Sequence, residues 1–377
     1  MKIVVVKNGD TIFSISRENN ISPEFLINSN KLKNPDNLVV GQTIVIPQNE
    51  SKIGNLAVNG YLYPSINRDI LKEALPYLTF LTIFTYGFEE DGTLIPIDDD
   101  EIIEIALKNN VKPIMLISTL NKDGKFSNSL ASKILNDQVA QKNLIKNIIE
   151  NLKIKKYFAL DIDFEYISPE DKKSFTKFIE NVTNALNKEG FPVITSLAPK
   201  TSAEQKGLLY EAHDYKEIGK NSNAVLLMTY EWGYTAGPPM AVAPINKVKK
   251  VLDYAVSEIP PEKIFMGIPN YGYNWKLPYI KGTTMAKSIG NVEAIEIALK
   301  YKAEIKFDEI SKSPYFNYID ENKINHVVWF EDARSIETKL KTAFEYGFSG
   351  VSYWNLMRSF PQNWLVLEQL FNIYKIK

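Results

Sequence analysis

Past residue 52 the apolar positions of the chain switch repeatedly between a period of two and a period near 3.6. Strand-like runs fall at 55–63, 77–88, 112–120, 157–165, 191–198, 224–232, 263–271 and 347–356. Helical patterns such as 99–109, 138–152 and 169–188 lie between them, and a final helix is predicted over 361–374. Eight strand–helix units in succession predict an α/β fold, a closed (β/α)8 TIM barrel with parallel strands. An excess at 274–332 follows the seventh strand; with its own helix (291–301) and strand (326–330), it reads as a small α+β insertion.

The first fifty residues have a different rhythm. A β-branched strand at 2–6 is broken by Asn8-Gly9-Asp10, and Asp10 stands where it can cap a helix with apolar positions Ile12, Phe13 and Ile15. A second short helix starts at 23–27, and T-I-V-I-P at 43–47 closes the unit with a strand. This small βααβ unit (1–49) is followed by the polar segment Q-N-E-S-K, 48–52, so the expected organisation is that unit and a barrel over 53–377.

The most informative stretch is Y-F-A-L-D-I-D-F-E-Y, 157–166, where Asp161, Asp163 and Glu165 alternate with Leu160, Ile162 and Phe164. Period two puts the three carboxylates on one strand face, about 7 Å between neighbours. Like charges so close raise at least one pKa, and a carboxylic acid that keeps its proton near neutral pH is what a general acid requires. In barrel enzymes the chemistry sits at the C-terminal ends of the strands, which is where Glu165 falls on the fourth.

This stretch resembles the catalytic strand of glycoside hydrolase family 18, D-x-x-D-x-D-x-E, with Phe158 in place of the first Asp and Ala159 where Gly is common. L-L-M-T-Y-E-W (226–232), M-G-I-P-N-Y-G-Y (266–273) and G-V-S-Y-W-N-L (350–356) resemble the sixth, seventh and eighth strands of that family. The resemblance implies substrate-assisted catalysis, which the ordinary two-carboxylate scheme does not describe. Glu165 would protonate the leaving oxygen, Asp163 would steady the sugar's acetamido group, and Tyr230 would hold the acetamido oxygen. Asp161 would support Asp163, and Trp354 would floor the subsite of the reacting sugar. Met228, Trp232, Tyr271 and Tyr61 are further substrate-binding candidates.

The N-terminal unit resembles a LysM module, through V-V-V-K-N-G-D-T-I-F-S-I-S, L-I-N-S-N-K-L and G-Q-T-I-V-I-P. That resemblance implies binding of glycans containing N-acetylglucosamine, with Asp10, Thr11, Ile12 and Asn30 as the expected contacts. A LysM module followed by such a barrel, with M-T-Y-E-W-G-Y-T-A-G-P-P-M-A-V-A-P-I and E-A-H-D-Y-K-E-I-G, looks like the bacterial spore cortex-lytic N-acetylglucosaminidases. The implied substrate is peptidoglycan and the implied location the spore coat or cortex region; chitinase and a non-catalytic lectin of the same fold are the alternatives.

Composition narrows these readings. Lys plus Arg is 44 against 45 for Asp plus Glu, so no strong field favours nucleic acid or an anionic membrane, and a neutral polymer suits the balance. There is no cysteine, and the two histidines, His213 and His326, are far apart, which removes disulfides and the usual zinc spacings; neither metal nor cofactor is expected. No run approaches the ~18 apolar residues of a membrane helix, and the apolar run at the N-terminus is too short for a signal-peptide core. Oligomeric state is not legible. Tyr63, Tyr86, Tyr273 and Trp275 also fall near strand ends, and about half of all these aromatics are expected to serve only as core. His213 reads better as a satisfied structural residue than as a cleft group, and Glu231 and Arg358 as possible substrate contacts.

Overall fold

The computed structural model describes residues 1–120 and 125–376. Eight parallel strands close on themselves: Gly54–Leu62, Phe80–Phe88, Lys112–Ser118, Ala159–Asp163, Val193–Leu197, Ala224–Leu227, Ile264–Pro269 and Gly350–Trp354, with the first pairing both the eighth and the second. Each lies within a run expected from period two or overlaps it. Most positions of these strands are buried, because helices cover the barrel outside while side chains fill it inside. The helix Lys172–Lys188 shows how: Phe175, Phe178, Ile179, Val182 and Leu186 recur at helical spacing and are all buried.

The insertion after the seventh strand is a five-stranded antiparallel sheet in the order Lys287–Ile289, Gly272–Leu277, Asn325–Trp329, Ser313–Ile319, Lys306–Asp308, with the helix Asn291–Lys300 packed on it. It begins at Gly272, two residues earlier than expected. It grips the loop after the sixth strand: Trp275 Nε1 donates to Gly237 O at 2.8 Å and Ala286 N to Thr235 O at 2.7 Å.

Phe158, in place of the usual acid, precedes the fourth strand. Its ring lies 5.7 Å from that of Phe80, which in turn lies 6.1 Å from Phe265. An aromatic cluster occupies the entry ends of these strands.

The N-terminal unit is strand Lys2–Val5, helices Ile12–Glu18 and Pro23–Asn30, and strand Thr43–Ile46. Thr43–Ile46 is buried at every position because both its faces are covered. Ile44 and Ile46 join Ile12, Ile15 and Leu26 in the unit's own core, while Val45 belongs to the core of the barrel. Val39 packs into the core of the insertion with Ile289, Phe316 and Phe330. Polar contacts follow the same seam. Ile305 N donates to Val40 O at 2.9 Å, Gln362 Nε2 to Thr43 O at 2.7 Å, and Gln48 N to Gln369 Oε1 at 2.8 Å. Gly41, at φ +86°, is needed there: a Cβ would stand 1.8 Å from Ile305 O.

Two of the expected glycan contacts are buried. Asn30 is buried and spends its amide on the backbone of Val45, donating to O and accepting from N, both at 2.8 Å. Ile12 is buried in the unit's core. Thr11 is exposed and caps its helix by accepting from Ser14 N, and Asp10 accepts from Lys7 N at 2.7 Å.

Removing residues 1–51 would therefore uncover apolar surface on barrel and insertion, at roughly 1.5–3 kcal/mol for each large aliphatic side chain that loses its cover. We expect the full chain to melt in one cooperative calorimetric transition and the chain 52–377 to melt several degrees lower. Two separate transitions, with the barrel's Tm unchanged by truncation, would contradict the docked arrangement.

Candidate active site

A cleft of about 930 Å³ opens at the C-terminal ends of the barrel strands. Its lining includes Asp163 at the end of the fourth strand and Glu165 just past it, Tyr61 and Tyr63 at and just past the end of the first, Met228, Tyr230, Glu231 and Trp232 just past the sixth, and Trp354 at the end of the eighth. Strand alternation delivers the acids as expected: Asp161 and Asp163 turn inward, while Phe164 faces out and stacks on Phe175 and Phe178.

The carboxylates differ in what holds them. Asp161 is fully buried and accepts from Tyr61 OH at 2.5 Å and Ser196 Oγ at 3.2 Å. Burial wins over these two bonds and pushes its pKa up to about 7. Asp163, only 6% exposed, is raised by burial and by the neighbouring Glu165 and Asp161. Its Oδ1 is buried without a partner among the described residues. Glu165 is pushed up to about 7 by burial and by Glu231. Glu231 is itself raised by burial, although it accepts from Tyr271 OH and, at 3.0 Å, from Tyr273 OH. Burial, with Asp163 and Glu165 nearby, keeps the Tyr230 phenol protonated and thus a donor. Gly267 makes room for that ring, since a Cβ there would approach Tyr230 Cε1 to 2.7 Å.

The cleft floor is aromatic. The Trp354 ring lies 5.2 Å from Phe84, 5.6 Å from Tyr61 and 6.2 Å from Tyr63. Such flat apolar walls match the C–H faces of sugar rings.

Several expectations shift in depth rather than direction. Tyr61 reaches the cleft, but its hydroxyl is committed to Asp161. Tyr271 does not line the cleft; it stands behind Glu231 with Tyr273. Trp275 is fully buried, and Tyr86 gives its hydroxyl to Asp99. Arg358 is turned to the insertion, donating to Ser288 Oγ at 2.9 Å. Phe84, Phe126, Tyr166, Tyr210 and Tyr234 line the cleft without having been singled out. Phe126, Tyr210 and Tyr234 come from loops, where no periodicity marks a side chain's direction.

His213 lies outside the cleft, fully buried, and its two nitrogens bridge two strand ends. Nδ1 stands 2.9 Å from Ala198 N, whose N–H can only donate, so Nδ1 accepts and the ring proton is on Nε2. Nε2 then donates to Phe164 O at 3.1 Å, the carbonyl between Asp163 and Glu165. Burial lowers the pKa of this imidazole to about 4, so it stays neutral. The sheet ladder ends at Asp163, and His213 supplies an anchor just beyond it.

Replacing His213 by Asn keeps an acceptor for Ala198 and removes the donor to Phe164. The expected result is a folded protein whose kcat falls about 10–100-fold with little change in KM, the scale of a catalytic group displaced by an ångström or less. A normal kcat would show that the Phe164 carbonyl needs no anchor.

The raised carboxylates also bear on stability. As pH climbs from the unfolded-state value, 4.5 for Glu165, towards about 7, the unfolded chain loses a proton that the folded protein retains, and stability falls across that window. Glu165→Gln escapes this loss. It should melt about 3–6 °C above the wild type at pH 8, with the gap closing near pH 4. An equal Tm at both pH values would contradict the raised carboxyl.

The geometry agrees with known proteins. The model for glycosyl hydrolases family 18 matches residues 50–358, and that for the LysM domain matches residues 4–47. The cortical fragment-lytic enzyme of Bacillus anthracis is 40% identical and that of Bacillus subtilis (strain 168) 36%, each alignment covering 100% of this chain and 99% of the relative. The crystal structure of the Bacillus megaterium spore cortex-lytic enzyme SleL superposes with a TM-score of 0.94 at 36% identity, over 100% of this chain and 99% of that one. This chain belongs to glycosyl hydrolase family 18 and carries a LysM domain at its N-terminal end.

Proposed function

We propose that the protein hydrolyses β-1,4 bonds of N-acetylglucosamine in peptidoglycan, with spore cortex fragments released during germination as its substrate and the cortex region as its place of action. The whole-length similarity to cortical fragment-lytic enzymes supports the polymer, and the LysM domain supports attachment to glycans containing N-acetylglucosamine. The observation that carries the chemistry is the buried Oδ1 of Asp163, without a partner among the described residues, in the same cleft as Glu165. An acceptor left unpaired in a buried site costs about 1–3 kcal/mol unless a ligand satisfies it, and an acetamido N–H is the donor this sugar brings.

In this mechanism Glu165 donates its proton to the glycosidic oxygen as the C1–O bond breaks. The carbonyl oxygen of the sugar's own acetamido group attacks C1, giving an oxazolinium ion and, after water adds, retained configuration. Asp163 accepts from the acetamido N–H and offsets the positive charge. Tyr230 donates to the acetamido oxygen and keeps it in line. Asp161, held by Tyr61 and Ser196, shares the charge of Asp163 so that the two titrate as a unit. Glu165, now ionised, takes the proton of the incoming water.

Reducing-end analysis of digested cortex fragments tests the bond: new N-acetylglucosamine ends are expected, and N-acetylmuramic acid ends would make the protein a muramidase. Glu165→Gln should lose about 10²–10⁴ in rate while still binding glycan. Asp163→Asn should also be slow, and Tyr230→Phe less so, having lost one hydrogen bond. Because Glu165 must carry its proton, kcat/KM should fall as pH rises above about 7. N-acetylglucosamine thiazoline, a neutral mimic of the cyclised intermediate, should inhibit competitively; near-full activity of Glu165→Gln, or indifference to the thiazoline, would remove this mechanism.

A further inference from the structure

One wall of the cleft has a chemistry that the mechanism does not use. Lys247 and Lys250 both line it, together with Gln205 and Tyr210 from the loop after the fifth strand and Trp232 and Tyr234 from the loop after the sixth. They stand three residues apart near the start of the helix Ile245–Glu258, so they project from one face of it. No acid occupies the first turn of that helix, whose positive end adds to the two ammonium charges. Several other lysines are paired with an acid. Lys172 meets Asp214 at 3.0 Å and Lys153 meets Glu189 at 2.6 Å, for example. Among the described residues neither the Lys247 nor the Lys250 ammonium group has a hydrogen bond or ion pair; the Lys247 backbone N–H is engaged with Pro244 O at 2.9 Å.

The acids of the same cleft do not account for them. Asp163 and Glu165 are raised in pKa by burial and neighbouring carboxylates and Glu231 by burial, and none is lowered as a nearby cation would make it. A neutral polysaccharide offers nothing that calls for two cations beside aromatic walls. A glycan whose sugars carry carboxylates does.

We propose that Lys247 and Lys250 form a carboxylate-binding subsite, which takes an acidic group carried by a sugar close to the one whose bond is cut. This rests on the reading of the cleft as a peptidoglycan site and narrows it: in such a glycan the carboxylate is either the free lactyl acid of a muramic unit or an acid of the peptide attached to it. The lysines select acidic glycans over chitin-like ones; they take no part in bond breaking.

The test is equilibrium binding in the Glu165→Gln background, so that no turnover is needed. Kd is measured for three oligosaccharides of equal length: N-acetylglucosamine only, alternating N-acetylglucosamine and N-acetylmuramic acid with free lactyl groups, and the same with stem peptides attached. The double variant Lys247→Met/Lys250→Met should weaken binding of an acidic oligosaccharide about tenfold more than that of the neutral one, with the excess loss shrinking in high salt. Lys247→Arg/Lys250→Arg should restore most of it. An excess loss on the peptide-free glycan identifies the lactyl carboxylate, and one confined to the peptide-bearing glycan identifies the peptide acid. Equal losses on all three, no loss, or no binding of acidic glycan by the parent protein overturns the proposal. Wild-type turnover of cortex fragments is measured separately, so a failed substrate assignment and a failed subsite give different results.

Discussion

Burial of three carboxyl groups on one strand face is the constraint around which the cleft is arranged. Left alone in a barrel interior, Asp161, Asp163 and Glu165 would repel one another and be poorly solvated. Each neighbour meets part of that cost without removing it. Tyr61 and Ser196 satisfy Asp161, the hydroxyls of Tyr271 and Tyr273 hold Glu231 opposite Glu165, and His213 fixes the backbone between Asp163 and Glu165. Among the described residues the Oδ1 of Asp163 is left without a partner, which is why the proposed mechanism assigns it the sugar's amide. The remaining electrostatic cost falls on the carboxyls to which the proposed mechanism gives the chemistry, as expected where a fold gives up stability for function.

Phe158 fits the same logic. The first acid of the usual family pattern is missing, and Asp161 takes its partners from the first and fifth strands instead of its own. Phe158 instead joins Phe80 and Phe265 at the entry ends of the strands. The lower barrel has exchanged a polar position for packing, while the end that faces the cleft keeps its acids.

The strands were legible because parallel strands covered on both sides are nearly continuous in apolar residues, and the acids of 161–165 stood out against that background. Period two gives the face and the chain order gives the end, but neither gives depth. Tyr271 and Tyr61 both lie at strand ends on cleft-facing strands, and only three dimensions show that one stands behind Glu231 and the other is tied to Asp161. Asn30 and Ile12, expected as glycan contacts, turn out buried for a related reason: a residue in a family's binding region can also hold the unit together. Loop aromatics such as Phe126, Tyr210 and Tyr234 have no periodic signal at all.

The strand Thr43–Ile46, with one face in each domain, turns the LysM domain from a leash into a ruler. A module on a slack tether raises local substrate concentration and lets the barrel sample any bond within reach. A module clamped to barrel and insertion cannot do that. If the LysM domain holds glycan as proposed, its contact and the cleft are separated by a fixed vector, and a chain anchored at one would be cut only at positions that vector permits. On that reading, reaching the next bond would require the anchor to let go of the glycan first.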